Sequence, residues 1–194
     1  MSRRSLKQLL SEVRACRTCE AQLPLGPRPV LRASNTARLL IIGQAPGTRV
    51  HQSGIPWDDP SGDRLRDWMQ LDPEQFYDEQ HIAIIPMGFC YPGKGKSGDL
   101  PPRPECAPQW HARLLAEMPA LRLTLLIGQY AQQYYLDSGR RSLAETVQGW
   151  QTCLPGHFPL PHPSPRNIRG FRNNPWFETG VLPAFRRQVK RALE

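Results

Sequence analysis

The sequence contains no apolar run of about 20 residues, the length a helix needs to cross a bilayer. Its start, Met1-Ser2-Arg3-Arg4-Ser5-Leu6-Lys7, is charged and leads into no apolar signal core. These absences exclude a helical membrane protein and lead us to expect a cytoplasmic chain with reduced thiols. No internal repeat and no linker-like stretch divides the 194 residues, so one domain over 1–194 with a sizeable core is expected. An even cysteine set is missing too. Five is an odd count, which argues against a closed disulfide framework and directs attention to metal ligation. Negative charge is scarce, with 17 Asp and Glu against 25 Lys and Arg and a net charge of +8. Such a surplus favours a polyanionic partner through attraction and counterion release, and it says nothing about fold.

What is present is an alternation of strand-like and helix-like segments. Leu6, Leu9, Leu10 and Val13 recur at helical spacing between Ser5 and Ala15. Arg38 to Ile42 reads as a buried strand ended by Gly43, Ile82 to Ile85 as a second, and Leu121 to Ile127 as a third ended by Gly128. Leu65, Trp68 and Met69 mark a helix, with Ser61 or Asp63 as its N-cap. Further helices are marked by Leu114, Leu115 and Met118, by residues 129–136, and by Val181, Phe185 and Val189. Residues 86–104 and 155–175 are rich in Pro and Gly and read as loops, and a long loop inside a compact domain is usually functional. Strands alternating with helices indicate an α/β sandwich with a mostly parallel sheet, in which ligands bind beyond the carboxyl ends of the strands. The loops carrying Gly43, Cys90 and His162 are expected at that edge.

Three groups of residues carry chemistry. Cys16 and Cys19 form a C-x-x-C, while Cys90 and Cys106 are separated by fifteen residues. Four soft thiolates suit a [4Fe–4S] cluster or tetrahedral zinc, and spacing alone does not choose between them. Cys153 stands outside the set and reads as a small buried hydrophobe. Gly43-Gln44-Ala45-Pro46-Gly47 follows a strand directly and lets a ligand approach the backbone closely. His162-Pro163-Ser164-Pro165-Arg166-Asn167 is the most distinctive short motif. Between them, Trp57 precedes Asp58 and Asp59, which either serve the chemistry or cap the next helix.

The order C-x-x-C, strand-end G-x-A-P-G, a cysteine at a later strand end, a second cysteine after fifteen intervening residues, and H-P-S-P resembles the uracil-DNA glycosylase superfamily, closest to its iron–sulfur members. The resemblance covers nearly the whole chain. It implies a three-layer α/β/α sandwich around a mostly parallel four-stranded sheet, a monomer, and a DNA partner. It also implies a [4Fe–4S] cluster on Cys16, Cys19, Cys90 and Cys106, with zinc as the alternative. The implied activity is monofunctional hydrolysis of the N-glycosidic bond of a flipped uracil or other deaminated base. His162 would donate a hydrogen bond to the departing base. Asp59 or Asp58 would support the sugar cation or orient water. Gly43, Gln44 and Ala45 would frame water and base, and Trp57 would stack on the base. Ser164, Arg166, Asn167, Arg169 and Arg172 would meet DNA, with Arg166 as the group that fills or clamps the duplex. No motif places a lysine as a Schiff-base nucleophile.

Two departures matter. The first loop usually carries an acid where this sequence has the uncharged Gln44 and Ala45. An asparagine that reads the base in the iron–sulfur enzymes is replaced by Pro86, which has no side-chain donor or acceptor; Gln44, His51, Gln52 or backbone amides are the nearby substitutes. Together they keep two rivals open: a non-catalytic DNA-binding protein on the same fold, and a metal-bearing protein acting on free nucleotides.

Overall fold

The computed structural model describes residues 5–136, 141–167, 170 and 174–194. The strands are β1 (Leu39–Ile42), β2 (Ile82–Ile84), β3 (Lys94–Gly95), β4 (Gly98–Asp99), β5 (Leu123–Ile127) and β6 (His157–Leu160). The helices are α1 (Leu6–Arg14), α2 (Thr48–Ser53), α3 (Pro60–Met69), α4 (Pro73–Phe76), α5 (Cys106–Leu115), α6 (Gln129–Tyr135), α7 (Leu143–Gln148) and α8 (Leu182–Leu193). The main sheet has the order β2-β1-β5-β6, and every pairing in it is parallel. Leu40 lies opposite Ala83 on one side and Thr124 on the other, and Leu125 lies opposite Phe158.

A parallel sheet is covered on both faces, so its strands read as unbroken apolar runs rather than alternations. All four residues of β1 and all five of β5 are buried. Their side chains still divide by parity. Leu39, Ile41, Leu125 and Ile127 join Leu65, Trp68, Phe185 and Val189 in one core. Leu40, Ile42 and Leu126 join Leu9, Val13, Trp110 and Leu114 in the other. Thus α3, α7 and α8 cover one face, and α1, α5 and α6 the other, giving the three-layer α/β/α sandwich. The nine-residue α1 is too short to persist alone. A capping box joins Ser5 to Gln8, and burial of Leu9, Leu10 and Val13 contributes roughly 1.5–3 kcal/mol for each side chain, which outweighs the cap.

Three expectations need correction. Asp59, not Ser61 or Asp63, caps α3, its Oδ1 accepting the Gly62 N–H at 2.9 Å. Pro60 occupies the first turn, where its missing N–H costs nothing, and this moves the start of the helix forward. Residues 155–175 do not form one loop, because β6 occupies His157–Leu160. The proline within it hides the strand from propensity, yet β6 lies at the sheet edge, where an absent N–H is tolerated. Residues 86–104 contain the small antiparallel hairpin of β3 and β4. The buried Gln132 amide secures the edge strand by donating to the carbonyls of Leu126 (3.3 Å) and Leu160 (2.9 Å).

His111 on α5 is 1% exposed and stacks on Phe89. Its Nε2–H donates to the Pro86 carbonyl at 3.0 Å, and its Nδ1 accepts from the Tyr135 hydroxyl. Burial pushes its pKa down to about 4 from 6.5, against a smaller upward pull from the Pro86 carbonyl. The folded state therefore resists protonation that the unfolded chain accepts, and stability falls as pH drops through that window. The difference corresponds to roughly 3 kcal/mol. Urea unfolding of His111→Gln, which keeps a donor for Pro86, is expected to show a flatter loss between 6.5 and about 4 than wild type; equal slopes would sink the assignment.

Candidate active site

Because all four strands of the main sheet run the same way, the chain leaves β1, β2 and β6 at one edge. The three exit loops are tied together there. Gly43 and Gln44 accept through their carbonyls from the N–H groups of Met87 (2.9 Å) and Gly88 (3.0 Å). Arg64 on α3 donates to the carbonyls of Pro163 (3.0 Å) and Ser164 (3.2 Å). Between the loops lies a cleft of about 400 Å³. Gly43, Gln44 and Ala45 line one side, Trp57, Asp59 and Pro86 others, and His162, Ser164, Arg166 and Asn167 close it.

Trp57 is seated by absences of side chain. A Cβ on Gly43 would lie 2.7 Å from the indole Cζ2, and one on Gly62 would lie 1.8 Å from the Trp57 carbonyl oxygen. Trp57 itself has φ of 59°, a left-handed conformation that costs a non-glycine residue of order 1 kcal/mol. The indole packs partly against the core and stacks on His162, with ring centroids 5.6 Å apart and 29° between planes.

The His162 ring is oriented from behind. The Ser164 N–H donates to Nδ1 at 3.2 Å, and the Asn167 amide donates to the His162 carbonyl at 2.8 Å. An Nδ1 that accepts carries no proton, so the neutral ring carries its hydrogen on Nε2. Desolvation lowers the His162 pKa, while the charge of Asp59 opposes this more weakly. The result is a neutral imidazole with one N–H donor at the cleft wall.

The two aspartates separate. Asp59 lines the cleft and also caps α3. Asp58 pairs with Arg49 at 3.6 Å and does not line the cleft. Arg166 lines the cleft while its Nη1 donates to the Ser97 carbonyl at 2.9 Å, joining the His162 loop to the β3–β4 hairpin. That hairpin brings Asp99, absent from the sequence-derived candidates, to the cleft; its carboxyl is held above the usual range, mainly by desolvation. The signal was the Lys94-Gly95-Lys96-Ser97-Gly98-Asp99 stretch, whose glycines permit a tight hairpin. His51 is buried beside Tyr91 and Gln52 is exposed, and neither lines the cleft. Arg169 and Arg172 lie outside the described residues. A second hollow of about 490 Å³ adjoins the cleft across Gln44, His162, Arg166 and Asn167, and is walled by Tyr130, Trp176 and Phe177.

Cys16, Cys19, Cys90 and Cys106 carry free thiols. Burial pushes Cys90 up to about 11 and Cys106 up to about 12, against backbone hydrogen bonds at Arg28 and Phe89 and with smaller upward pushes from the neighbouring thiols. Cys19 and Cys90 pack together against Leu23, and the Cys19 thiol faces the Glu105 carboxylate, which Arg103 holds. Among the described residues, no group of three or more His, Cys, Asp or Glu side chains gathers closely enough to hold a metal ion. Cys153 is partly exposed rather than buried.

The family model described as "Uracil DNA glycosylase superfamily" matches residues 32–186. The match covers all three cleft loops together with Cys90 and Cys106, and begins after Cys16 and Cys19.

The seating of Trp57 is open to a direct test. Gly43→Ala is expected to cost about 1–3 kcal/mol in urea unfolding through overpacking. In a Trp57→Phe background, which lacks the outer indole ring, the same change should cost at least about 1 kcal/mol less. Additive losses would mean that Gly43 is not there for the indole.

Proposed function

The chain belongs to the uracil DNA glycosylase superfamily, whose members are generally DNA glycosylases, and from the cleft we infer that it hydrolyses the N-glycosidic bond of a flipped uracil or other deaminated base in DNA. The observation that carries this reading is His162: its Nδ1 is engaged by the Ser164 N–H, so the neutral ring has an Nε2–H to offer. Breaking the bond leaves negative charge on the base, and a positioned donor in a desolvated site stabilises charge that develops only in the transition state. Asp59, with one oxygen committed to its helix, supplies negative charge near the oxocarbenium-like sugar. The backbone of Gly43, Gln44 and Ala45 frames the base, Trp57 offers an aromatic face, and Ser164, Arg166 and Asn167 border the strand. The surplus of basic residues suits a phosphate backbone.

We further propose that the four cysteines hold a [4Fe–4S] cluster in a structural role. The support is the four-thiolate set itself, the C-x-x-C of Cys16 and Cys19 with Cys90 and Cys106 beyond it, and the packing of Cys19 against Cys90. Zinc on the same four thiolates is the alternative. A second reading, a DNA-binding protein without catalysis, is favoured by the uncharged Gln44 and by Pro86 in the cleft wall.

Base release from oligonucleotides carrying uracil, hypoxanthine or xanthine, read as alkali-labile sites, tests the activity. His162→Ala should lose about 10²–10³-fold in rate. Because burial lowers the His162 pKa, the wild-type rate should hold as pH falls from about 8 past the ordinary histidine value of 6.5 and decline only below it. No release from any substrate with DNA binding intact would favour the second reading. For the thiols, purified protein should be brown, absorb broadly near roughly 400 nm and carry about four irons per chain, all lost in Cys106→Ala; zinc without iron would overturn the cluster.

A further inference from the structure

The reaction needs a group that accepts the proton of the attacking water, and the first loop lacks one: Gln44 is uncharged, and Asp59 already spends an oxygen on the Gly62 N–H. Another carboxylate faces the same cleft from a different element. Asp99 ends β4, and its Oδ2 lies 3.3 Å from where a Cβ on Gly47 would sit, directly over the end of the Gly43–Gly47 loop. Among the described residues no hydrogen bond or close ion pair occupies it. Arg166 and Lys94 act on it only as charges at longer range. The hairpin that carries it is anchored: Arg166 donates to the Ser97 carbonyl and passes so close to Gly98 that a Cβ there would lie 2.2 Å from its Nη1. The hairpin and the His162 loop are therefore joined across the mouth of one cleft.

We propose that Asp99 is the catalytic base of the hydrolysis, a role that rests on the glycosylase reading above. The water oxygen bonds to C1′ as the C1′–N bond breaks. The bonding pair leaves with the base, whose carbonyl takes the His162 Nε2–H hydrogen bond. The water proton passes to Asp99 and from there to the departed base, leaving a hydroxyl on the sugar. Desolvation in the cleft raises the proton affinity of Asp99, Arg166 and Lys94 oppose this, and the charge of Asp59 adds a smaller upward push. Asp59, tied to the Gly62 N–H, faces the sugar, while Asp99, with a carboxyl held above the usual range, is the group placed to take the water proton. Asp99 is exposed in the free protein, which gives water access; a bound nucleotide would cover it.

The test uses the full-length protein on a substrate that wild type cleaves. Asp99→Ala should lower kcat by about 10²–10⁴-fold, with duplex affinity retained or tightened because a negative charge has gone, and added formate should restore part of the rate. Asp99→Asn should lose as much, and its unfolding transition should match wild type. Wild-type activity undiminished in Asp99→Ala overturns the assignment alone. A loss that formate leaves untouched, or one accompanied by lost duplex binding, also overturns it. A wild type inert on every base overturns the glycosylase reading and Asp99 with it.

Discussion

Parallel pairing in the sheet is the constraint on which the rest depends. Once β1 pairs with β2 on one side and β5 on the other, and β6 adds to β5 in the same direction, every strand delivers its chain to the same edge. Residues far apart in sequence, Gly43, Pro86 and His162, then border one cleft without long-range hydrogen bonds between their side chains. The Gln132 amide, bonded to the carbonyls of Leu126 and Leu160, reinforces this at the edge where a proline weakens the ladder. A helix on the far face thereby sets the height at which the His162 loop begins.

Within the cleft, chemistry is set by what is excluded. The missing side chain at Gly43 admits the Trp57 indole, the one at Gly62 admits the Trp57 carbonyl, and the indole in turn stacks on the His162 ring. Covering the ring lowers its proton affinity, and the Ser164 N–H on Nδ1 selects the tautomer. A neutral imidazole with its hydrogen on Nε2 is a donor whose strength is realised only when charge appears on a partner. His111, on the opposite face of the sheet, is kept neutral by the same means and holds the Pro86 carbonyl in place. The two histidines serve different ends through one physical effect.

At one carboxylate and two thiols the same burial acts with the opposite sign, raising proton affinity, and like charges nearby add to it. Desolvation, with a smaller push from Asp59, raises the proton affinity of Asp99, and the charge of neighbouring thiols adds to burial at Cys90 and Cys106. Groups placed so are costly when ionised and unmatched, and they favour the arrival of a proton or a cation. In the reaction proposed above the arriving proton comes from water, and the cation proposed for the thiols is iron.

Apolar runs and their punctuation were legible along the chain: three of the four sheet strands, the amphipathic α1 and α8, and the strand-end glycine loop follow from local periodicity and from turn residues. So did the cysteine spacing and the His162 motif, because each is contiguous or nearly so. Three features were decided only by tertiary structure. β6 exists because β5 offers it an edge, which outweighs the preference of a four-residue segment containing Pro159. The roles of Asp58 and Asp59 diverge because one turn of chain aims the first at Arg49 and the second into the cleft. Asp99 and His162 border one cleft in a fold where Arg166 reaches across to Ser97, a contact between positions 69 residues apart that no local pattern encodes.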